Sequence, residues 1–100
     1  MGKFREVTED RLQKLNMGFL ALEKNPKDEP VVSEVMREIH TLKGEAKMMG
    51  FADINLLAHK IEDVLKALRD KNFDFLNKVS DVLFQGLDTI GRLMKKSIHE

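Results

Sequence analysis

The 100-residue chain contains no cysteine, only two prolines and no excess of either charge. Nor does it contain an apolar run near the roughly 20 residues that a membrane-spanning helix requires. The missing cysteine excludes disulfides, thiolate metal sites and cysteine nucleophiles, and agrees with a reducing compartment. With 17 Lys plus Arg against 17 Asp plus Glu, no whole-chain field draws the molecule to nucleic acid. The charged N-terminus lacks the apolar stretch of a signal peptide, so the expectation is a soluble, cytoplasmic chain with no membrane insertion. A glycine-rich phosphate loop is absent as well, and no recognisable motif would bind ATP within the chain.

What is present is helical periodicity. Hydrophobic residues at 42% and charged residues at 34% suit one domain with a single core and a solvated surface. Both prolines fall in the polar stretch Asn25-Pro-Lys-Asp-Glu-Pro30, which predicts a connection between helices. Before it, a helix over about 8–24 is expected to be capped by Thr8, with Leu12, Leu15, Phe19 and Leu22 on one face. A second helix over about 30–49 carries Val32, Val35, Ile39, Leu42, Ala46 and Met49 in steps of three and four. Gly50 stops it. Asp53 then caps a third helix, about 53–71, striped by Ile54, Leu57, Ile61, Val64 or Leu65, and Leu68. After Asn72, Asp74 caps a fourth over about 74–97, with Leu76, Val79, Leu83, Leu87, Ile90 and Leu93 or Met94, despite Gly86 and Gly91. No strand pattern competes. Short connections force neighbours to run antiparallel, so the expected fold is all-α, an antiparallel up-down-up-down four-helix bundle.

A bundle needs none of the polar residues that interrupt this pattern, and those residues carry the functional argument. On the second helix His40 lies off the buried stripe, and Lys43 follows one turn later on the same side. Gly44 sits nearly opposite the core, where Ala would be the better helix former by about 1 kcal/mol; a missing side chain there lets another protein surface approach. On the third helix His59 and Glu62 repeat the three-residue spacing outside the stripe. If these helices are antiparallel neighbours, the four side chains form one cluster on the bundle rim. Neutral imidazole is a nucleophile, and its ordinary pKa of about 6.5 leaves much of a solvent-facing histidine neutral at pH 7. Glu62, accepting a hydrogen bond from one ring nitrogen, would fix the tautomer and leave the other nitrogen's lone pair facing outward to attack phosphorus. Lys43 would then offset the negative charge of an arriving phosphoryl group.

His40-Thr-Leu-Lys43-Gly44 resembles the His-x-x-Lys-Gly signature of histidine-containing phosphotransfer (HPt) domains. The continuation Ala46, Met49-Gly50-Phe51 and His59-Lys-Ile-Glu62-Asp-Val-Leu65 is similar to the branch found in CheA-type chemotaxis kinases, and residues 8 to 97 fit that domain. The resemblance implies that His40 accepts a phosphoryl group from a separate ATP-binding kinase domain and passes it to an Asp of a response regulator receiver. It also implies that Glu62 orients His40, Lys43 supplies charge and His59 supports them, with Gly44, Glu45 and Lys47 as partner-docking positions. Glu45 departs from the small residue often seen after that glycine and adds bulk and charge at the docking face. No cofactor is expected in this domain; ATP and Mg belong to the kinase domain and Mg to the receiver. An end near residue 100 without a kinase core is expected of a domain excised from a larger histidine kinase, although a free-standing phosphotransfer protein would look similar.

Two other readings remain open on the residues alone. His40, His59 and Glu62 could supply three ligands to a metal, although metal-binding bundles need motifs that project inward. A helical interaction module could hold a partner helix in a groove such as that between the first and fourth helices. That reading accounts for the apolar pattern and leaves His40-x-x-Lys43-Gly44 unexplained. His99, close to the terminus, is given no role.

Overall fold

The computed structural model describes the backbone of residues 2–98 and the side chains of residues 6–95. It contains α1 (Gly2–Lys24), α2 (Glu29–Met48), α3 (Ala52–Asp70) and α4 (Leu76–Ile98), with no strand among the described residues. Each helix packs on the two beside it in a ring, α1 on α2 and α4, and α3 on α2 and α4, while the backbones of the diagonal pairs stay apart among the described residues. The result is the all-α four-helix bundle, 42 Å long and about 20 Å across.

Local chemistry sets most of the helix ends. The Asp28 carboxylate accepts a hydrogen bond from the Val31 N–H at 3.3 Å, and Pro30 occupies the first turn, where its missing N–H costs nothing. At the other end of α2, Gly50 takes φ +80°, which lets Phe51 N–H reach the Ala46 carbonyl at 2.9 Å and Gly50 N–H the Lys47 carbonyl at 3.2 Å. This Schellman arrangement satisfies two carbonyls the helix would otherwise leave open. Asn72 ends α3 in the same way at φ 56°, with Phe73 bonding back to the Leu68 carbonyl at 2.7 Å. Phe73 itself has φ 60°, a conformation a bulky residue rarely adopts; its side chain is buried there, and that burial offsets the strain.

Several expected details are corrected. Thr8 is not a cap: α1 begins at Gly2, and Thr8 lies inside it, fully buried, with a hydroxyl that has no hydrogen-bond partner among the described residues. Its spacing explains why, since Thr8, Leu12, Leu15, Phe19 and Leu22 continue one stripe in steps of four and three. An unpartnered buried hydroxyl opposes folding, so Thr8→Val, which keeps the shape and removes the polar atom, is expected to raise the unfolding free energy by about 1 kcal/mol in denaturant titration. Asp53 is in the first turn of α3 rather than at its cap, which is Phe51, and Asp74 lies in the turn ahead of Leu76, where α4 begins. Met49, assigned to the core stripe, is 46% exposed because α2 has already ended and the chain is turning at Gly50.

The core is built from Leu15, Phe19 and Leu22 of α1, Ile39, Leu42 and Ala46 of α2, Ile54, Ala58 and Leu65 of α3, and Leu87, Ile90 and Met94 of α4. Full burial of each large side chain contributes about 1.5–3 kcal/mol. Phe19 and Phe84 meet edge to face at 5.7 Å between ring centres and tie α1 to α4. Two glycines mark close helix approaches. A Cβ on Gly18 would lie 2.4 Å from Val35 Cγ2, and one on Gly86 would lie 2.9 Å from Ile61 Cδ1. The Gly18 approach is the tighter, since Val35 is β-branched and stiff, whereas Ile61 Cδ1 is the end of a side chain that can shift.

Candidate functional site

On α3 the buried positions are Ile54, Ala58, Ile61, Glu62, Leu65 and Leu68. The stripe thus passes through Ala58 rather than Leu57, a rotation of one residue that turns Glu62 toward α2 and into the bundle. Its side chain is only 4% exposed, so the expectation of a rim carboxylate is corrected: Glu62 is a buried acid. His40 projects from α2 with 68% of its side chain exposed, and its Nδ1 lies 2.8 Å from Glu62 Oε2. Lys43, one turn along, reaches the other oxygen, donating from Nζ to Oε1 at 2.6 Å.

A carboxylate so buried needs partners. Burial pushes the Glu62 carboxyl up, but the hydrogen bonds from Lys43 and His40, with the positive charges of Lys43 and Lys66, outweigh it and hold the group below its ordinary value. Glu62 is therefore ionised at neutral pH and can only accept hydrogen bonds. It follows that His40 donates from Nδ1, and in the neutral imidazole the lone pair is on Nε2, the nitrogen on the far side of the ring from the carboxylate. Lys43 is not an open cation awaiting a ligand; its ammonium is committed to Glu62, and its side chain is 22% exposed.

The remaining expected residues divide. His59 is apart from the cluster in bonding terms: its Nε2 lies 3.4 Å from Asp63 Oδ2 on its own helix, with both side chains largely in solvent. Gly44 is exposed on the His40 side of α2, and a Cβ added there would meet no atom within 4 Å, so internal packing does not demand a glycine. Lys47 is exposed one turn beyond and lines a depression of about 180 Å³ with Gly50, Ala52 and Asn55. Glu45 turns the other way. It accepts from Arg11 Nε at 2.8 Å and Nη2 at 3.1 Å, while Arg11 Nη1 donates to the buried Glu38 at 2.8 Å. Its charge is thus paired with Arg11 of α1. The hydrogen bond to Glu45, opposed by burial and joined by that to Glu38, raises the Arg11 pKa above its ordinary value. His99 lies outside the described residues.

Arg11, Glu38, Asn55 and Lys66 were not singled out from the sequence. Glu38 could have been, since it sits three residues after Val35 and four before Leu42, inside the stripe; a buried acid at such a position calls for a cation on a facing helix. Asn55 lies seven residues, two turns, before Glu62 on the same face, and its side chain donates to the Lys43 main-chain carbonyl at 2.9 Å. Among the described residues no three His, Asp or Glu side chains converge as metal ligands. Between α1 and α4 runs an open groove of about 440 Å³, its lining divided between apolar side chains such as Leu12, Met17 and Phe84 and charged ones such as Glu9, Asp88 and Arg92. No helix among the described residues is long and apolar enough to cross a membrane.

Comparison with known proteins places these features among relatives. The family model described as "Hpt domain" matches residues 1–92. The chain is 47% identical over 91 residues to the gliding motility regulatory protein of Myxococcus xanthus, a match covering 91% of this chain and 12% of that protein. It is 35% identical over 95 residues to the chemotaxis protein CheA of Bacillus subtilis, covering 95% and 14%. Among solved structures, the CheA phosphotransferase domain from Thermotoga maritima superposes with a TM-score of 0.87 at 38% identity, covering 97% of this chain and 92% of that one. The chain thus spans about one eighth of the length of the curated relatives.

Proposed function

The chain belongs to the Hpt domain family, homologous to CheA phosphotransfer domains, and from that premise we propose that His40 is its phosphoacceptor, reacting through Nε2. The observation that carries the proposal is the 2.8 Å contact between His40 Nδ1 and the buried, ionised Glu62, on a histidine otherwise open to solvent. The Nε2 lone pair attacks the terminal phosphorus of ATP held by a separate kinase domain. An N–P bond forms as the P–O bond to ADP breaks, and the leaving oxygen takes the electron pair. Nδ1 keeps its proton, so the phosphorylated ring is an imidazolium, and its positive charge lies against the Glu62 carboxylate. Attack by a receiver Asp carboxylate then breaks the N–P bond and returns the ring to its neutral, Nδ1-protonated form. ATP and Mg belong to the kinase partner and Mg to the receiver; none is needed within this domain. Lys43 acts through Glu62, keeping it charged.

The relatives named CheA and the gliding motility regulatory protein support a phosphorelay in chemotaxis-type signalling, with a CheA-type kinase and a response regulator as partners. In this reading the relay acts in the cytoplasm. Reaction of the domain with phosphoramidate, which requires no kinase, tests the acceptor directly. Acid-labile phosphate on His40 alone, located by fragment mass spectrometry, is the expected result. Modification of His59 or His99 with His40 untouched would sink the proposal.

Gly44 offers a second check that separates docking from chemistry. With nothing near its missing Cβ, Gly44→Ala is expected to raise the unfolding free energy by about 1 kcal/mol through helix propensity. Its phosphoramidate rate should match the wild type while transfer to or from a protein partner slows. Equal transfer rates would remove Gly44 from the docking surface.

A further inference from the structure

The helix pair that carries the site is held mostly by contacts without direction. The buried side chains of α2 and α3 are apolar except for Glu38, which faces Arg11 of α1, and Glu62. Apolar packing resists separation of two helices more than small slides of one along the other. The side-chain hydrogen bonds that cross from α3 to α2 converge on a single turn of α2: Glu62 meets His40 and Lys43, and Asn55 meets the main-chain carbonyl of Lys43.

The acceptor of the Asn55 bond is a main-chain carbonyl inside a helix. Within α2 that carbonyl already receives the N–H of Lys47, four residues on, so it has no need of a second donor. Nor does α3 gain by having asparagine there, where alanine is the better helix former. Asn55 nonetheless spends its amide on a rigid point of α2, the backbone between His40 and Gly44, two turns along α3 from Glu62. Fixing backbone to side chain at this level fixes where Glu62 falls along α2.

We propose that Asn55 is a positioning residue for His40: its amide, bonded to the Lys43 carbonyl, sets the axial register of α3 on α2 that brings the Glu62 carboxylate to His40 Nδ1. Asn55 touches no reacting atom and acts through Glu62. The proposal rests on the reading of His40 as acceptor for its rate consequence, but its geometric content does not depend on that reading.

Two variants test it. Asn55→Ala removes the amide, and Asn55→Asp keeps its shape while replacing the donor by an oxygen that repels the carbonyl. Long-range proton–nitrogen NMR correlations on histidine-labelled protein report which His40 nitrogen carries the proton. The wild type is expected to show the Nδ1–H form, and both variants a mixture with Nε2–H. Phosphoramidate modification should slow by about fivefold in Asn55→Ala, the factor matching one neutral hydrogen bond of ordinary net strength, with a larger drop in Asn55→Asp. Thermal unfolding of Asn55→Ala should change little, because gained helix propensity offsets the lost bond. A purely structural Asn55 would lower the melting temperature and leave the His40 tautomer and rate as in the wild type, and that outcome overturns the proposal. If wild-type His40 takes no phosphate at all, the acceptor reading fails, while the tautomer comparison still decides the role of Asn55.

Discussion

His40→Gln is expected to abolish phosphoryl acceptance from phosphoramidate or from a kinase with ATP, while lowering the melting temperature by no more than about 5 °C. The two halves have separate causes. Glutamine has no nucleophilic nitrogen, since its amide lone pair is delocalised into the carbonyl, so no N–P bond can form at position 40. The fold, in contrast, asks little of this side chain, which is 68% exposed and makes its one cross-helix bond to Glu62. The glutamine amide can donate to the same carboxylate, and Lys43 still holds the other oxygen at 2.6 Å. Loss of less than one ordinary hydrogen bond, about 1 kcal/mol, corresponds to a shift of a few degrees in a domain of this size. Residual incorporation in His40→Gln would mean that another histidine carries the chemistry. His59 is the one to examine by fragment mass spectrometry, being 54% exposed with Asp63 at its Nε2.

The bundle was legible in the sequence because helix periodicity and connection length are both one-dimensional properties. Leu12, Leu15, Phe19 and Leu22 fell at the right spacing and are all buried, and the Pro26 and Gly50 segments break the chain where helices end. The errors came where two roles compete for one residue. Thr8 has the chemistry of a cap, yet its position at the head of the α1 stripe prevails, because six more residues ahead of it also form helix. Met49 has the hydrophobicity of a core residue, yet the left-handed Gly50 reverses the chain before its side chain can turn inward.

At the site, the residue types were legible and their depth was not. Reading the α3 stripe through the larger Leu57 instead of Ala58 rotates the helix by one residue and puts Glu62 in solvent. In the folded domain small Ala58 is fully buried and Glu62 follows it inward. The difference changes the chemistry assigned to Lys43. Beside an exposed carboxylate it would be a free cation for a phosphoryl group; beside a buried one it is the counter-charge that keeps Glu62 ionised. The Arg11–Glu38–Glu45 network and the Asn55 bond were invisible for another reason. Each joins residues 12 to 34 positions apart, and only the packing of α1 on α2 and of α3 on α2 brings them together.

Glu62→Gln is expected to slow phosphoryl acceptance by about 100-fold, the lower end of what one group stabilising charge that develops in a transition state contributes, and to change how stability depends on pH. The amide keeps the size of the side chain but loses the charge. It can still accept from His40 Nδ1, but its NH2 group then faces the Lys43 ammonium, and the imidazolium formed on phosphorylation has no counter-ion at Nδ1. The stability effect follows from the direction of the Glu62 shift. Its folded pKa lies below the ordinary value of 4.5, so ionisation favours the folded state. That contribution is fully present above the ordinary value and is lost as pH falls through the folded value. In denaturant titrations at pH 8 the wild type should therefore exceed Glu62→Gln in unfolding free energy by about 1–3 kcal/mol, the range for a buried charged hydrogen-bonding group. The gap should narrow below about pH 4.5, where the unfolded chain takes up a proton that folded Glu62 does not. Lys43→Met, which removes the stronger of the two hydrogen bonds while leaving His40 in place, should raise the Glu62 pKa and move the acid limb of the stability curve to higher pH. An unchanged acid limb in both variants would show that the carboxylate is not held by these partners, and the orienting role assigned to Glu62 would fall with it.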